Sequence, residues 1–280
     1  MKIKIIADSS ADLNSLQGCA FESVPLKIIT DEKEYVDDED LDVDGMISDL
    51  QKYKGVSRSS CPNTQEWIDA FEDYDGVFCV TITSGLSGSC NAASIAVREY
   101  LETYPQKKGY VIDSLSAGSE ITLIVEKLSE LILQGLGFDE IKEKIIEYKR
   151  RTHLIFCLES LRNLANNGRC NPAVAKFAGI LGIRIVGKAS LEGTLEITDK
   201  ARGEEKALRT IFKNMIAGGY AGEKIRIHHC RNIQAAKKLE EMIKKEFRNA
   251  VVKIQETRAL CSFYAEAGGL LVGYEGAVKA

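Results

Sequence analysis

Short apolar runs that end in serine and lead into helical stretches set the limits on what this chain can fold into. Gly76-Val77-Phe78-Cys79-Val80 runs on into Ile82-Thr83-Ser84-Gly85-Leu86-Ser87-Gly88-Ser89, and a helical pattern begins at Asn91. Ser9-Ser10 and Ser114 close similar runs at residues 2–7 and 109–112, and Ser59-Ser60 precedes another helix. Apolar runs this short, bounded by glycine and serine, read as buried strands. Strands alternating with helices specify a parallel, doubly wound α/β sheet. Ligands of such sheets sit at the carboxyl ends of the strands, which is where these serines fall. A strand–turn–helix junction also aims the unpaired N–H groups and the partial positive charge of a helix N-terminus at one spot. The expectation is a pocket that holds an oxyanion without doing chemistry on it.

The second half has a different texture. Asn166-Asn167-Gly168-Arg169 is a polar turn, and Pro172 suits the first turn of a helix running to Leu181. Residues 183–189 and 195–200 alternate about Glu192-Gly193 and predict a hairpin. Further helices over 203–217 and 232–247 and strands over 224–229 and 251–259 follow. We therefore expect an N-terminal α/β domain over 1–158 with a parallel sheet, and a C-terminal α/β domain over 159–280 with a mixed sheet. The glycine-rich tail is expected to return to the first domain. The acidic run Asp37-Asp38-Glu39-Asp40 reads as a solvated loop.

Composition removes several function classes. With 41 acidic and 37 basic residues the net charge is −4, which argues against nucleic-acid binding because that needs a basic footprint. No apolar run approaches the roughly 20 residues of a transmembrane helix. The N-terminus lacks the apolar region and cleavage site of a signal peptide, so a cytoplasmic location is expected. The eight cysteines are scattered without a CxxC pair and predict free thiols.

Catalytic constellations are sparse. Gly85-Leu86-Ser87-Gly88-Ser89 places serine where a nucleophile elbow needs its second glycine. The histidines are His153, His228 and His229 alone. The last two are adjacent on a predicted strand and point to opposite faces, so structural roles and no metal are expected. Neither phosphate-binding glycine fingerprint is present. Each serine cluster also has a plainer reading. Ser59-Ser60 could serve only the helix that Asn63 and Glu66 begin, and Asp8 and Asp113 could simply tie down loops. Arg169 reads either as a solvated turn residue or as the cation for a buried carboxylate. Arg202 reads either as surface charge or as a docking contact.

In order, Ile6-Ala7-Asp8-Ser9-Ser10-Ala11-Asp12-Leu13, Val24-Pro25-Leu26, Ser59-Ser60-Cys61-Pro62, Thr83-Ser84-Gly85-Leu86-Ser87-Gly88-Ser89 and Val111-Ile112-Asp113-Ser114 resemble the DegV family of bacterial fatty-acid-binding proteins. Residues 161–172 and Lys200-Ala201-Arg202-Gly203 extend the resemblance over nearly the whole chain. It implies a two-domain α/β protein that buries one long acyl chain (palmitate, stearate or oleate-like) between its domains. It implies no other cofactor, and presentation of the acid to a fatty-acid kinase for acyl-phosphate formation. The implied carboxylate ligands are Ser59, Ser60, Ser84, Ser87, Arg169 and Tyr264, with Ser87 foremost. Tyr264 stands where many members carry a histidine, Cys61 replaces a more usual polar residue, and Ser59 replaces threonine. Arg202 falls where a kinase contact is implied. Expected tunnel-wall residues are Phe156, Leu158, Leu161, Leu164, Phe177, Ile180 and Leu181. Two other readings are a phosphotransferase-type enzyme subunit acting on a small anionic metabolite, as in the similar dihydroxyacetone kinase group, and a regulatory module sensing an acyl ligand.

Overall fold

In a computed structural model describing residues 1–71, 73–173 and 182–279, strands and helices alternate through the first half of the chain. They are β1 (Ile3–Asp8), β2 (Ala20–Val24), β3 (Lys27–Ile29), β4 (Glu34–Val36), α1 (Val43–Lys52), β5 (Arg58–Ser60), α2 (Thr64–Asp69), β6 (Gly76–Thr81), α3 (Ser89–Thr103), β7 (Lys108–Asp113), α4 (Ser119–Leu133) and α5 (Phe138–Lys149). The rest comprises β8 (Thr152–Leu158), α6 (Arg162–Asn166), β9 (Ile183–Ala189), β10 (Leu195–Arg202), α7 (Glu204–Ala217), β11 (Lys224–His229), α8 (Ile233–Glu246), β12 (Val251–Glu256), α9 (Ala259–Ala265) and β13 (Leu270–Glu275).

β2, β1, β6 and β7 form a parallel sheet in that order. Every residue of β1 and β6 is buried, as a strand covered by helices on both faces must be. Phe78 and Val80 face α4 and α5, while Val77 and Cys79 pack on the side of α2 and α3. The second sheet has the order β10-β9-β8-β13-β11-β12 and is mixed, with only β11 and β12 running parallel. These two sheets are the α/β architecture that the sequence predicts.

Alternation along β8 sorts its side chains. Ile155 and Cys157 join the core under α7 and α8, whereas Leu154, Phe156 and Leu158 face the opposite way. Between the sheets lies α4, which packs on β1, β8, β11 and β13. Residues 119–125 of α4 are all buried, including Ile121, Leu123, Ile124 and Val125, as in a helix segment enclosed on every side, whereas Leu133 at its end is exposed. Each such buried side chain stabilises the fold by about 1.5–3 kcal/mol. Gly273 permits the approach, since a Cβ there would lie 2.5 Å from the backbone of Ser119.

Three sequence expectations change. β8 falls within residues 1–158, yet it hydrogen-bonds to β9 and β13 and so lies inside the second sheet. The glycine-rich tail enters the second sheet as β13, between β8 and β11, where it packs on α4 and the following residues bond to Arg150 and Arg151. Ser59 and Ser60, which the sequence offers only as the lead-in to a helix, end β5 in a small antiparallel sheet of order β4-β3-β5. Asp37 is not solvated: it is fully buried, although Asp38, Glu39 and Asp40 are exposed. The predicted helix from Pro172 to Leu181 falls largely outside the described residues.

Candidate functional site

The capping question at Ser59-Ser60 is settled by Asn63. Its Oδ1 accepts from Glu66 N at 3.0 Å, and its own N–H donates to Glu66 Oε2 at 2.7 Å. This reciprocal box satisfies the start of α2, so the serines have other work. Ser59 Oγ lies 2.6 Å from the hydroxyl of Tyr264 on α9. Burial pushes the Tyr264 phenol up, and the Ser59 hydrogen bond and the Arg169 charge oppose that rise.

α9 is fixed from below by the buried Asp37. The N–H groups of Ala259 and Leu260 donate to its two carboxylate oxygens at 3.0 and 2.9 Å, and Arg258 Nε stands 3.4 Å away. Burial raises the Asp37 carboxyl to about 6 despite the Arg258 charge.

The loop between β6 and α3 is wound by its own hydroxyls. Leu86 N and Ser87 N both donate to Thr83 O at 3.2 Å, Gly85 N donates to Thr83 Oγ1 at 3.1 Å, and Ser89 N donates to Ser87 Oγ at 3.3 Å. Beneath it, Asp8 accepts from Ile82 N at 2.9 Å, from Ser89 Oγ at 2.6 Å and from Ser10 Oγ. Burial raises its carboxyl above the ordinary range. Asp113 accepts from the N–H groups of Ser84 and Leu115.

Arg169 follows Gly168, whose φ of +71° suits glycine. Its Nε donates to Leu86 O at 3.2 Å and its Nη1 to Asn167 O. Among the described residues no carboxylate stands within ion-pair distance of this guanidinium.

These groups border one cavity of about 290 Å³ between the two large sheets. Ser59, Ser60, Ser87, Arg169 and Tyr264 all line it. Ser84 does not: it is exposed and its N–H is turned toward Asp113. Arg202 is exposed at the end of β10 and lies outside the cavity. Of the expected wall residues, Phe156, Leu158 and Leu164 line it, and Leu161 is packed in the adjacent core. Phe177, Ile180 and Leu181 lie outside the described residues. The sequence reading missed Leu26, Ile82, Leu154, Leu195, Cys261 and Leu271. Leu154 was within reach, since it shares the β8 face of Phe156 and Leu158.

Chemically, the lining offers hydroxyl donors, one guanidinium and apolar walls. Among the described residues it contains no carboxylate, and no group of three or more metal-ligating side chains occurs. His228 is committed elsewhere, fully buried with Nδ1 2.7 Å from Asp12 Oδ2.

The DegV family profile, described as "Uncharacterised protein, DegV family", matches residues 2–275. The chain belongs to the DegV family. A "DegV domain-containing protein" of Streptococcus pneumoniae is 45% identical over 279 residues, 98% of this chain and 99% of that one. Two solved DegV-fold structures are similar throughout. The Streptococcus pneumoniae "Fatty Acid Kinase (Fak) B3 protein loaded with linoleic acid" has a TM-score of 0.97 and 44% identity, covering 99% of this chain and 100% of that one. A DegV family protein from Eubacterium eligens "loaded with heptadecanoic acid" has a TM-score of 0.96 and 42% identity, covering 98% and 100%.

Proposed function

We propose that this DegV protein binds a long-chain fatty acid, with the carboxylate among Ser59, Ser60, Ser87, Arg169 and Tyr264 and the acyl chain in the apolar cavity. The observation that carries the reading is Arg169, a half-buried cation with only carbonyl partners beside a lining free of carboxylates among the described residues. Such a group is satisfied by an anionic ligand, and charge-assisted hydrogen bonds are about twice as strong as neutral ones. Leu26, Leu154, Phe156, Leu158 and Leu271 bring apolar surface from both sides, and each methylene they bury contributes about 0.8 kcal/mol. Chain burial thus supplies affinity, and the polar end supplies orientation. The loaded relatives described above support a C16–C18 class of ligand, of which palmitate, stearate and oleate are the forms to test.

Among the described residues the lining holds no histidine or carboxylate to act as a general base on its serines and cysteines, and no metal-ligating group, so the protein is read as a carrier with no reaction of its own. Presentation to a fatty-acid kinase is supported by the name of the pneumococcal relative and by the exposure of Arg202. Eight free cysteines suit a cytoplasmic location, and no described helix is long and apolar enough to cross a membrane.

The test is displacement of a fluorescent fatty acid by palmitate from wild type and from Arg169→Gln. Losing one charge-assisted contact should weaken binding about 10–100-fold. Equal affinity in the two proteins would remove Arg169 from the site.

A further inference from the structure

The charge balance at the polar end bears on which head group the cavity accepts. Four titratable side chains line it among the described residues: Cys61, Arg169, Cys261 and Tyr264. Arg169 is the single cation. Tyr264 and Ser59 are hydrogen-bonded to each other at 2.6 Å. Two hydroxyls so joined spend one proton between themselves and keep one to donate outward, so the pair offers direction without charge.

The elements around this end add little. α3 begins at Ser89, and its N-terminus contributes about half a positive charge. Behind the same loop lie the carboxyl groups of Asp8 and Asp113, which are bonded to its N–H groups and hydroxyls, and the Lys149 ammonium donates to Asp113 O at 2.7 Å. α9 presents its C-terminal end, the negative pole, through Tyr264 and Ala265. Within the lining itself, among the described residues, the one full positive charge is that of Arg169.

Resting on the fatty-acid reading above, we propose that the head-group end is built for a single negative charge, with the neutral Tyr264–Ser59 pair and the lone Arg169 together setting that limit. A carboxylate is neutralised. A dianionic head brings one charge that the site leaves uncompensated beside apolar walls, where unpaired charge is costly. Transfer of the terminal phosphoryl group of a nucleoside triphosphate to the bound carboxylate by a kinase, with the nucleoside diphosphate leaving, would take the head past this limit. Replacement of such a product by fresh fatty acid is then downhill at this site.

The experiment compares C16 ligands that differ in the head: palmitate, hexadecyl sulfate, hexadecyl phosphate and hexadecanol, each displacing a fluorescent fatty acid. Hexadecyl sulfate is a monoanion throughout, whereas a phosphate monoester loses its second proton near about pH 6. At pH 8.5, palmitate and hexadecyl sulfate should compete comparably, hexadecanol less well, and hexadecyl phosphate about tenfold or more less well than the sulfate. At pH 5 the phosphate should match the sulfate. Tyr264→Lys, checked for native thermal unfolding, should reverse the preference at pH 8.5 by adding a second cation.

If the phosphate equals or exceeds the sulfate at pH 8.5 in wild type, the charge limit is overturned while fatty-acid binding stands. If palmitate itself fails to compete, the fatty-acid reading falls and this one with it. The wild-type series decides the question even where Tyr264→Lys does not fold.

Discussion

The interior between the sheets and the polar end of the cavity treat charge in opposite ways. Between the sheets, among the described residues, four buried ionic groups have charged partners from distant parts of the chain. Arg226 on β11 meets Glu126 on α4 through Nε at 3.0 and 2.9 Å. His228 meets Asp12, Arg258 meets Asp37, and Lys279 Nζ lies 2.8 Å from the fully buried Glu120. At the cavity, Arg169 has carbonyl partners alone among the described residues. Paired charges hold the two sheets in register. On the function proposed above, Arg169 is a binding group whose counter-charge arrives with the ligand. The difference separates residues that build the fold from residues that use it.

The largest test of that division is Arg226→Met. It leaves Glu126 between the sheets with only Lys253, at 3.1 Å, as cationic partner. Stability should fall by about 3 kcal/mol in urea unfolding, with palmitate affinity unchanged. Arg169→Gln should do the reverse, shifting stability by less than about 0.5 kcal/mol while weakening binding.

Asp37 gives a pH-dependent version of the same contrast. Its folded-state carboxyl is raised from 3.8 to about 6, so the native protein binds more protons than the unfolded chain between those values. The contribution is fully present below about pH 4 and is lost as the pH rises through 6. Urea titrations of wild type and Asp37→Asn should therefore diverge across pH 4–6, with wild type gaining on the order of 3 kcal/mol relative to the variant on acidification. Parallel curves would place the Asp37 carboxyl at an ordinary value.

At the small end of the scale, Ser87→Ala should weaken palmitate binding by about 1 kcal/mol, the size of one hydrogen bond. Ser84→Ala, three residues away in the same loop, should leave it unchanged because Ser84 faces solvent. Isothermal titration of the two variants side by side reads the difference; equal losses would mean that the loop acts as a whole.

How much of this was legible in the sequence follows the same division. The strand–helix alternation and the doubly buried β1 and β6 declare themselves through continuous apolar runs. The three-residue strands β3, β4 and β5 are too short to show a period. β13 was masked by its glycines, and the backbone of Ser119 is what requires Gly273. Asp37 was hidden by its acidic neighbours, because nothing local reveals that Arg258 and the start of α9 come to meet it. The serines and Arg169 were visible as types and spacings and through the family resemblance. Which of Ser84 and Ser87 turns inward depends on how Thr83 winds the loop, and that is a property of three-dimensional hydrogen bonding.

The central claim is tested most directly by native mass spectrometry of the protein purified without added ligand, followed by denaturing extraction and lipid identification. The account predicts a bound species of long-chain fatty-acid mass, one per protein chain, released on unfolding. A protein that flies empty and takes up neither palmitate nor oleate when these are added would contradict it.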